Sequence, residues 1–387
     1  MIQIIRKLFL GMLASLAVLS GGFQARAADL VIGAIAPMSG GGTEWGIALK
    51  QGVELAIAEV NEAGGLKVGS ETHTPKLVLY DDQYTAQGGT TAATRLINVD
   101  KAKFIIGPIG SASVLGALGV TSPDKALVVS NGFSDKILTP ESKFNFRVNI
   151  TTVEIAPAIV KWLRERVPDA KRVGIISPND ATGQFAIKVL TDAYPKQGFE
   201  VVFKETYERG VNDFIALITR MMKAGVDVFE LDSNALAEAG LMVKQARQLG
   251  FKGTIIQTGG PSIEEVIRIA GPLSEGFLSF ENFDPNAASM QDFVKKYRAR
   301  FSTPITTYAP LFYNAAQLLF EAMRRAGSLD KSAVSDQLEK LGGYDTMYGP
   351  VRWAGKEAYG IDHQLLTAFY VVEIKGGKPD YVARLQP

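Results

Sequence analysis

The stretch that decides the fold is "KFIIGPIGSASVLGAL", residues 103–118. An apolar run, Phe104-Ile105-Ile106, enters Gly107-Pro108-Ile109-Gly110. Two small hydroxyl residues, Ser111 and Ser113, follow, and then small helix formers. This order predicts a strand, a tight turn and a helix start. Open α/β sheets hold their ligands just beyond the carboxyl ends of such strands. Yet the turn carries no Lys, His, Asp or Cys. A site built here has only backbone amides and hydroxyls to offer.

The same alternation extends on both sides. Residues 30–36 (LVIGAIA) read as a buried strand. Trp45, Leu49, Gly52, Val53, Ala56, Ile57 and Val60 then fall on one helical face. Strands are predicted at 76–80, 103–106 and 126–130, with helices at 85–99 and 111–120. Short βα connections of this kind imply a parallel sheet covered by helices. After a less regular stretch, 131–150, the alternation restarts and runs to about residue 270. The tail adds a strand at 276–280, helices at 289–301, 307–326 and 331–341, and a strand at 366–375. Two doubly wound α/β lobes are expected, joined in mid-chain. No low-complexity linker separates them, so short hinge segments are expected rather than a flexible tether.

Residues 1–27 read as a secretory signal: Arg6 and Lys7, an apolar run from 8 to 19, then Ala25-Arg26-Ala27. The run is too short to span a bilayer. No Cys lies at the cleavage point to take a lipid. An exported, periplasmic protein is expected. Removing the signal leaves 38 basic against 40 acidic residues, so no basic face invites nucleic acid. The absence of Cys excludes thiol chemistry and Cys-based metal sites.

Catalytic signatures are missing as well. G-x-G-x-x-G does not occur at this turn, and neither a phosphate-binding G-x-x-x-x-G-K-[ST] nor a G-x-S-x-G elbow occurs. The two histidines, His73 in "GSETHTP" and His363 in "GIDHQ", read as solvated loop residues. Asp81 and Asp82 read as capping and hinge residues. No cofactor and no metal is expected, and no enzyme.

Binding remains. The turn at 107–113 and a second one, "SNGFSDK" at 130–136, each follow a predicted strand and face the same sheet edge. Both combine small residues with a serine. Free amides, a helix N-terminus and a hydroxyl can together hold a carboxylate. Met38 and Trp45 lie beside the end of the first strand, and Phe133 interrupts the second turn.

These segments resemble the leucine/isoleucine/valine-binding protein family of periplasmic ABC-importer receptors. The likeness lies in "GAIAPMSGGGTEWG", "GVELAIAEVNEAGGL", "YDDQ", "IIGPIGS", "VVSNGFSD", "FRV", "VNDFIALITRMMKAGVD", "QARQLG" and "GPVRW", in consistent order over most of the chain. The resemblance implies the type I binding-protein fold, with three crossovers between lobes that close on a ligand. Lobe 1 would comprise 28–149 plus 278–350, and lobe 2 would comprise 150–277 plus 351–387. It implies carboxylate contacts from Ser111 and Ser134, a backbone carbonyl from Gly132, and pocket aromatics at Trp45 and Tyr308. Three positions depart from the leucine-type pattern. Gly259 stands where an acidic residue should meet the ligand ammonium, and Thr182 and Ala235 stand for two tyrosines. A broken buried ion pair costs about 3–5 kcal/mol. The expected ligand is therefore a small carboxylate without an obligatory α-amino group, an aromatic or branched keto or hydroxy acid. Branched-chain amino acid binding is the alternative, with Asp232 or Asn234 receiving the ammonium unless they only cap the next helix. The expected partners are this ligand and an inner-membrane ABC permease, and the chain is expected to be a monomer. A role as a sensor for a membrane receptor stays open.

Overall fold

The computed structural model describes residues 28–40, 42–261 and 263–387, and the expected export signal lies outside them. Two large sheets organise the chain. The first runs Trp353–Ala354, Gln364–Leu365, Asn145–Arg147, Leu127–Asn131, Phe104–Ile109, Ala28–Ala36, Glu71–Asp81, Leu66–Val68. The second runs Lys378–Leu385, Phe369–Lys375, Leu278–Glu281, Thr254–Gln257, Val228–Glu230, Arg172–Pro178, Glu200–Tyr207. Inner strands pair in parallel, and antiparallel pairs lie toward the edges. Phe104–Ile109 and Leu127–Asn131 are buried at every residue. Helices cover both faces of a parallel sheet, which is why these strands read as continuous apolar runs.

Each sheet winds both ways from its first strand. Ala28–Ala36 lies between Glu71–Asp81 and Phe104–Ile109, and Arg172–Pro178 lies between Glu200–Tyr207 and Val228–Glu230. That reversal opens a crevice at the carboxyl ends of the strands. Apolar clusters fill both faces of each sheet. Ile32, Leu49, Phe104 and Phe312 pack on one face of the first, and Ile35, Leu96, Ile105 and Val128 on the other. In lobe 1 the helices Thr43–Glu62 and Tyr308–Ala326 approach closely. A Cβ on Gly52 would lie 2.3 Å from the Ala309 carbonyl oxygen, so only glycine permits the contact.

The chain crosses between sheets after Arg147, after Glu281 and after Leu365. Two expected boundaries change. Leu278–Glu281, read as opening the 278–350 segment of lobe 1, pairs instead with Thr254–Gln257 and Phe369–Lys375 in the second sheet. Trp353–Ala354 and Gln364–Leu365, read with lobe 2, join the first sheet beside Asn145–Arg147. Both partnerships are with strands remote in sequence, and short apolar strands carry no local mark of which sheet they join. The final strand, Lys378–Leu385, follows the Gly376-Gly377 turn and was not anticipated. Its charged, half-exposed pattern suits an edge.

Among the described residues no helix is long and apolar enough to cross a membrane. Nor does any group of three or more metal-ligating side chains occur among them.

Candidate functional site

The site is built at the turn after Phe104–Ile109. Gly110 precedes the helix Ser111–Asp124 with φ 90°, and no side chain caps that helix. A Cβ on Gly110 would lie 2.5 Å from the Tyr84 ring, so the position needs glycine for both conformation and space. The first amides of an uncapped helix have no intrahelical partner and carry a partial positive charge.

Ser111 sits at this N-terminus and is 1% exposed. Its Oγ accepts the amides of Phe133 at 3.1 Å and Ser134 at 3.0 Å. It also accepts the hydroxyl of Thr182 at 2.8 Å. Thr182 belongs to the helix Ala181–Lys196 of the opposite lobe. The two expected serine turns are thus joined through one oxygen, and lobe 2 closes on the same atom. Ser134 is also buried, and its own Oγ accepts the Lys136 amide, capping the short turn Asp135–Ile137.

Phe133 reaches across as well. It is buried against Ile150, Ile175 and Phe280 of the second lobe's core. A Cβ on Gly259 would meet Phe133 at 2.9 Å and the Asp232 carboxylate oxygen at 2.4 Å. The space released by the missing acid at Gly259 is therefore shared by an aromatic ring and a different carboxyl group. Asp232 is fully buried and accepts the hydroxyls of Thr152 and Ser233 at 2.8 and 2.9 Å. Burial pushes the carboxyls of both Asp232 and its neighbour Glu230 up, and the charge of Asp232 adds to the rise at Glu230. Asn234 does not suit the expected ligand contact. Its amide donates to the carbonyls of Ile176 and Leu231, and its Oδ1 accepts the Tyr207 hydroxyl, so its capacity is used inside lobe 2. Neither residue caps the helix Leu236–Gln248, where Glu238 instead accepts the Ala235 amide.

The aromatic residues expected near the pocket pack together. Trp45 packs against Tyr308 at 5.8 Å and Tyr84 at 5.9 Å between ring centroids. Its indole N–H donates across the lobes to the Pro261 carbonyl at 3.4 Å. Met38 is half-buried at the edge of this wall, its amide held by Asp81. Asp81 also accepts the Gln83 amide, a turn bond rather than a helix cap, and Thr85 caps the helix Ala86–Asn98. Asp82 is fully buried and accepts the Ser113 hydroxyl and the Tyr84 amide. Burial pushes its carboxyl up to about 6.

Sequence reasoning missed Arg147, Arg209 and Glu281. Arg147 is fully buried and donates to the carbonyls of Gly132 at 3.3 Å and Ser134 at 3.0 Å. The Gly132 carbonyl, expected to face the ligand, is thus already engaged by a guanidinium on one side. The only signal was the apolar neighbourhood of "FRV", where a lone cation needs a purpose. Arg209 binds Asp180 at 2.6 Å in lobe 2 and lies 5.2 Å from the Tyr84 ring of lobe 1. The histidines are corrected too. His73 lies buried in the strand Glu71–Asp81. His363 stacks on Phe146 at 3.9 Å and contacts Glu339 at 2.8 Å. Both brace lobe 1 rather than face solvent.

Two doubly wound lobes, three crossings and polar contacts that bridge the crevice define a two-lobed receptor that closes around a small solute. The model of the family described as "Periplasmic binding protein" matches residues 29–378. The Leu/Ile/Val-binding protein homolog 2 of Brucella abortus is 30% identical over 357 residues, covering 91% of this chain and 92% of that protein. The leucine-binding protein LivK of Thermotoga maritima superposes with a TM-score of 0.82 at 24% identity, over 92% of this chain and 99% of that one. A solute-binding protein of an R. palustris ABC transporter, in complex with benzoate, superposes with a TM-score of 0.80 at 21% identity, over 93% and 97%. The chain belongs to the periplasmic binding protein family, as a solute-binding protein of the ABC-transporter type. That family is one of receptors, not of enzymes.

Proposed function

We propose that this protein is exported to the periplasm, captures a small carboxylate between its lobes and delivers it to an ABC permease. The observation that carries this reading is the Ser111 hydroxyl. It stands at an uncapped helix N-terminus, gathers the Phe133 and Ser134 amides, and meets Thr182 of the closing lobe. The Phe133 and Ser134 amides fill its two acceptor positions, and in this reading a bound anion takes its proton in place of the Thr182 contact or beside it. Ser134 and the first amides of the helix complete the cradle.

The rest of the ligand is an aromatic or branched keto or hydroxy acid. Gly259 supplies no charge, and the nearby Asp232 carboxyl is biased by burial toward its neutral form. The benzoate complex of the structurally similar receptor supports this choice. A second reading, a branched-chain amino acid, is favoured by one observation: Asp232 reaches within 2.4 Å of where a Gly259 side chain would begin. An ammonium there would find a carboxylate.

Thermal shift and calorimetry with benzoates, branched 2-keto acids, and leucine, isoleucine and valine separate the two. Stabilisation by the acids that is lost in Ser111→Ala is the expected result. Stabilisation by the amino acids alone refutes the first reading in favour of the second. A liganded crystal with the anion seated away from Ser111 and Ser134 refutes both. Native mass spectrometry of protein purified without refolding supplies an unbiased candidate.

A further inference from the structure

Beyond Trp45 the crevice continues. A cavity of about 300 Å³ is bounded by Trp45 and Thr307, by Leu236, Pro261 and Ile263, and by Glu281. A cavity of about 150 Å³ holds a benzene ring, so this one has room for a ring and its substituents. Both lobes wall it. Trp45 is the shared partition, since it stacks on Tyr84 and Tyr308 of lobe 1 while its N–H meets Pro261 of lobe 2. Tyr84, which packs on Trp45 and lies against Gly110 beside Ser111, links this wall to the proposed carboxylate seat.

Glu281 is the anomaly in that chamber. It ends the strand Leu278–Glu281 and is 6% exposed. Thr307 hydrogen-bonds its carboxyl, but no cation pairs with it among the described residues. Lys378 lines the same cavity without forming an ion pair there, and Glu264, the other acid nearby, adds repulsion. Burial pushes the Glu281 carboxyl up to about 8. A carboxyl taken out of water needs hydrogen bonds, and the Thr307 hydroxyl and the Ile263 backbone amide together use only part of the acceptor capacity of its two oxygens.

We propose that Glu281 selects carboxylate ligands whose opposite end carries a hydroxyl or an uncharged amine, which it hydrogen-bonds inside this chamber. The inference rests on the Ser111 reading of the carboxylate. It names the ligand class more narrowly: a flat acid with a hydrogen-bond donor remote from its carboxylate. A site that hydrogen-bonds such a donor discriminates strongly against the analogue lacking it.

Calorimetry with benzoate, 4-hydroxybenzoate, 4-aminobenzoate and 4-(aminomethyl)benzoate tests this on the wild-type protein and on Glu281→Gln, Glu281→Leu and Ser111→Ala. The wild type is expected to favour the hydroxy acid over benzoate by at least about ten-fold. Glu281→Leu should bring the two within about two-fold, with benzoate itself unchanged. Glu281→Gln, which keeps an acceptor, should retain most of the preference and guards against a folding defect in the leucine variant. A preference that survives Glu281→Leu, or none in the wild type, overturns the inference while leaving the Ser111 reading intact. Tightest binding of the aminomethyl cation, lost in Glu281→Gln, overturns it too, because the acid would then act as a charged counter-ion. Binding of the whole series that is indifferent to Ser111→Ala, or no binding at all, removes the carboxylate reading and this inference with it.

Discussion

Thr182→Val separates closing from folding. The substitution keeps the branched shape but deletes the hydroxyl that donates to Ser111 across the lobes at 2.8 Å. Ser111 still accepts the Phe133 and Ser134 amides, so no buried donor is orphaned. The loss is one hydrogen bond, about 0.5–1.5 kcal/mol, and it falls only on the closed form. Closure therefore weakens by about 2- to 13-fold, and apparent affinity follows when the closed form is the binding form. The unfolding midpoint in urea should hardly move. Ser111→Ala behaves differently. It strands two buried amides inside lobe 1, at about 1–3 kcal/mol each, so stability and affinity fall together. Urea unfolding, calorimetry with the carboxylate giving the largest thermal shift, and X-ray scattering of the ligand-free protein read the three quantities. If Thr182→Val destabilises as much as Ser111→Ala, or leaves both affinity and the closed fraction unchanged, the shared oxygen does not couple the lobes.

Gly259→Ala should both strain lobe 2 and hinder closing. Its Cβ would lie 2.4 Å from the Asp232 carboxylate oxygen of its own lobe and 2.9 Å from Phe133 of the other, so the unfolding midpoint should fall and scattering should show a larger radius, of which Phe133→Ala in the same chain reverses only the second effect. Trp45→Phe removes the N–H that donates to Pro261 and keeps most of the ring, so affinity should drop about 2- to 10-fold with little change in the unfolding midpoint. The pH dependence is set by carboxyls raised on folding, Asp82 from 3.8 to about 6 and Glu281 from 4.5 to about 8, with the buried pair Asp232 and Glu230 raised as well. Such groups hold protons in the native state that the unfolded chain has released. Stability therefore falls as pH rises from about 4 to about 8, and Glu281→Gln should flatten the upper half of that slope. A urea midpoint that climbs across this window would contradict the assignment.

The sequence made some of this plain and hid the rest for physical reasons. The βα alternation and the helix start at Ser111 were legible because strand, turn and helix start are local patterns. Trp45 was marked by its place beside the end of the first strand and Tyr308 by the family likeness, and the structure brings their ring centroids within 5.8 Å. Sheet membership was not local. Leu278–Glu281 needs Phe369–Lys375, some ninety residues away, and nothing in "LSFE" names that partner. The histidines were misread because a strand with exposed edges, "ETHTPKLVLYD", looks like a polar loop at its start. The change at Gly259 was read as a lost acid, but the groups that close on it, Phe133 and Asp232, come from segments 126 and 27 residues away in sequence. Compensation of that kind is visible only once the lobes are assembled.

The proposed anion cradle, with no cationic side chain in it, still draws on a cation one layer back. The Gly132 carbonyl accepts Arg147 at 3.3 Å, and the amide of the same peptide group is the Phe133 N–H that donates to Ser111 at 3.1 Å. A positive group on the carbonyl end polarises that peptide and strengthens its N–H as a donor, which in turn sharpens the Ser111 proton. Arg147 forms no ion pair among the described residues, and its Nη2 has no partner, so its charge is not cancelled locally. In a buried site this field acts on the anion with little screening. Arg147→Gln should therefore weaken benzoate more than benzamide, which has the same shape without the charge. Arg147→Lys keeps the charge but cannot span Gln364, Gly132 and Ser134 together, so it should lose stability yet retain more of the benzoate preference than the glutamine variant. A purely architectural arginine would lower both affinities by the same factor in both variants, and that outcome would remove the electrostatic part of the account.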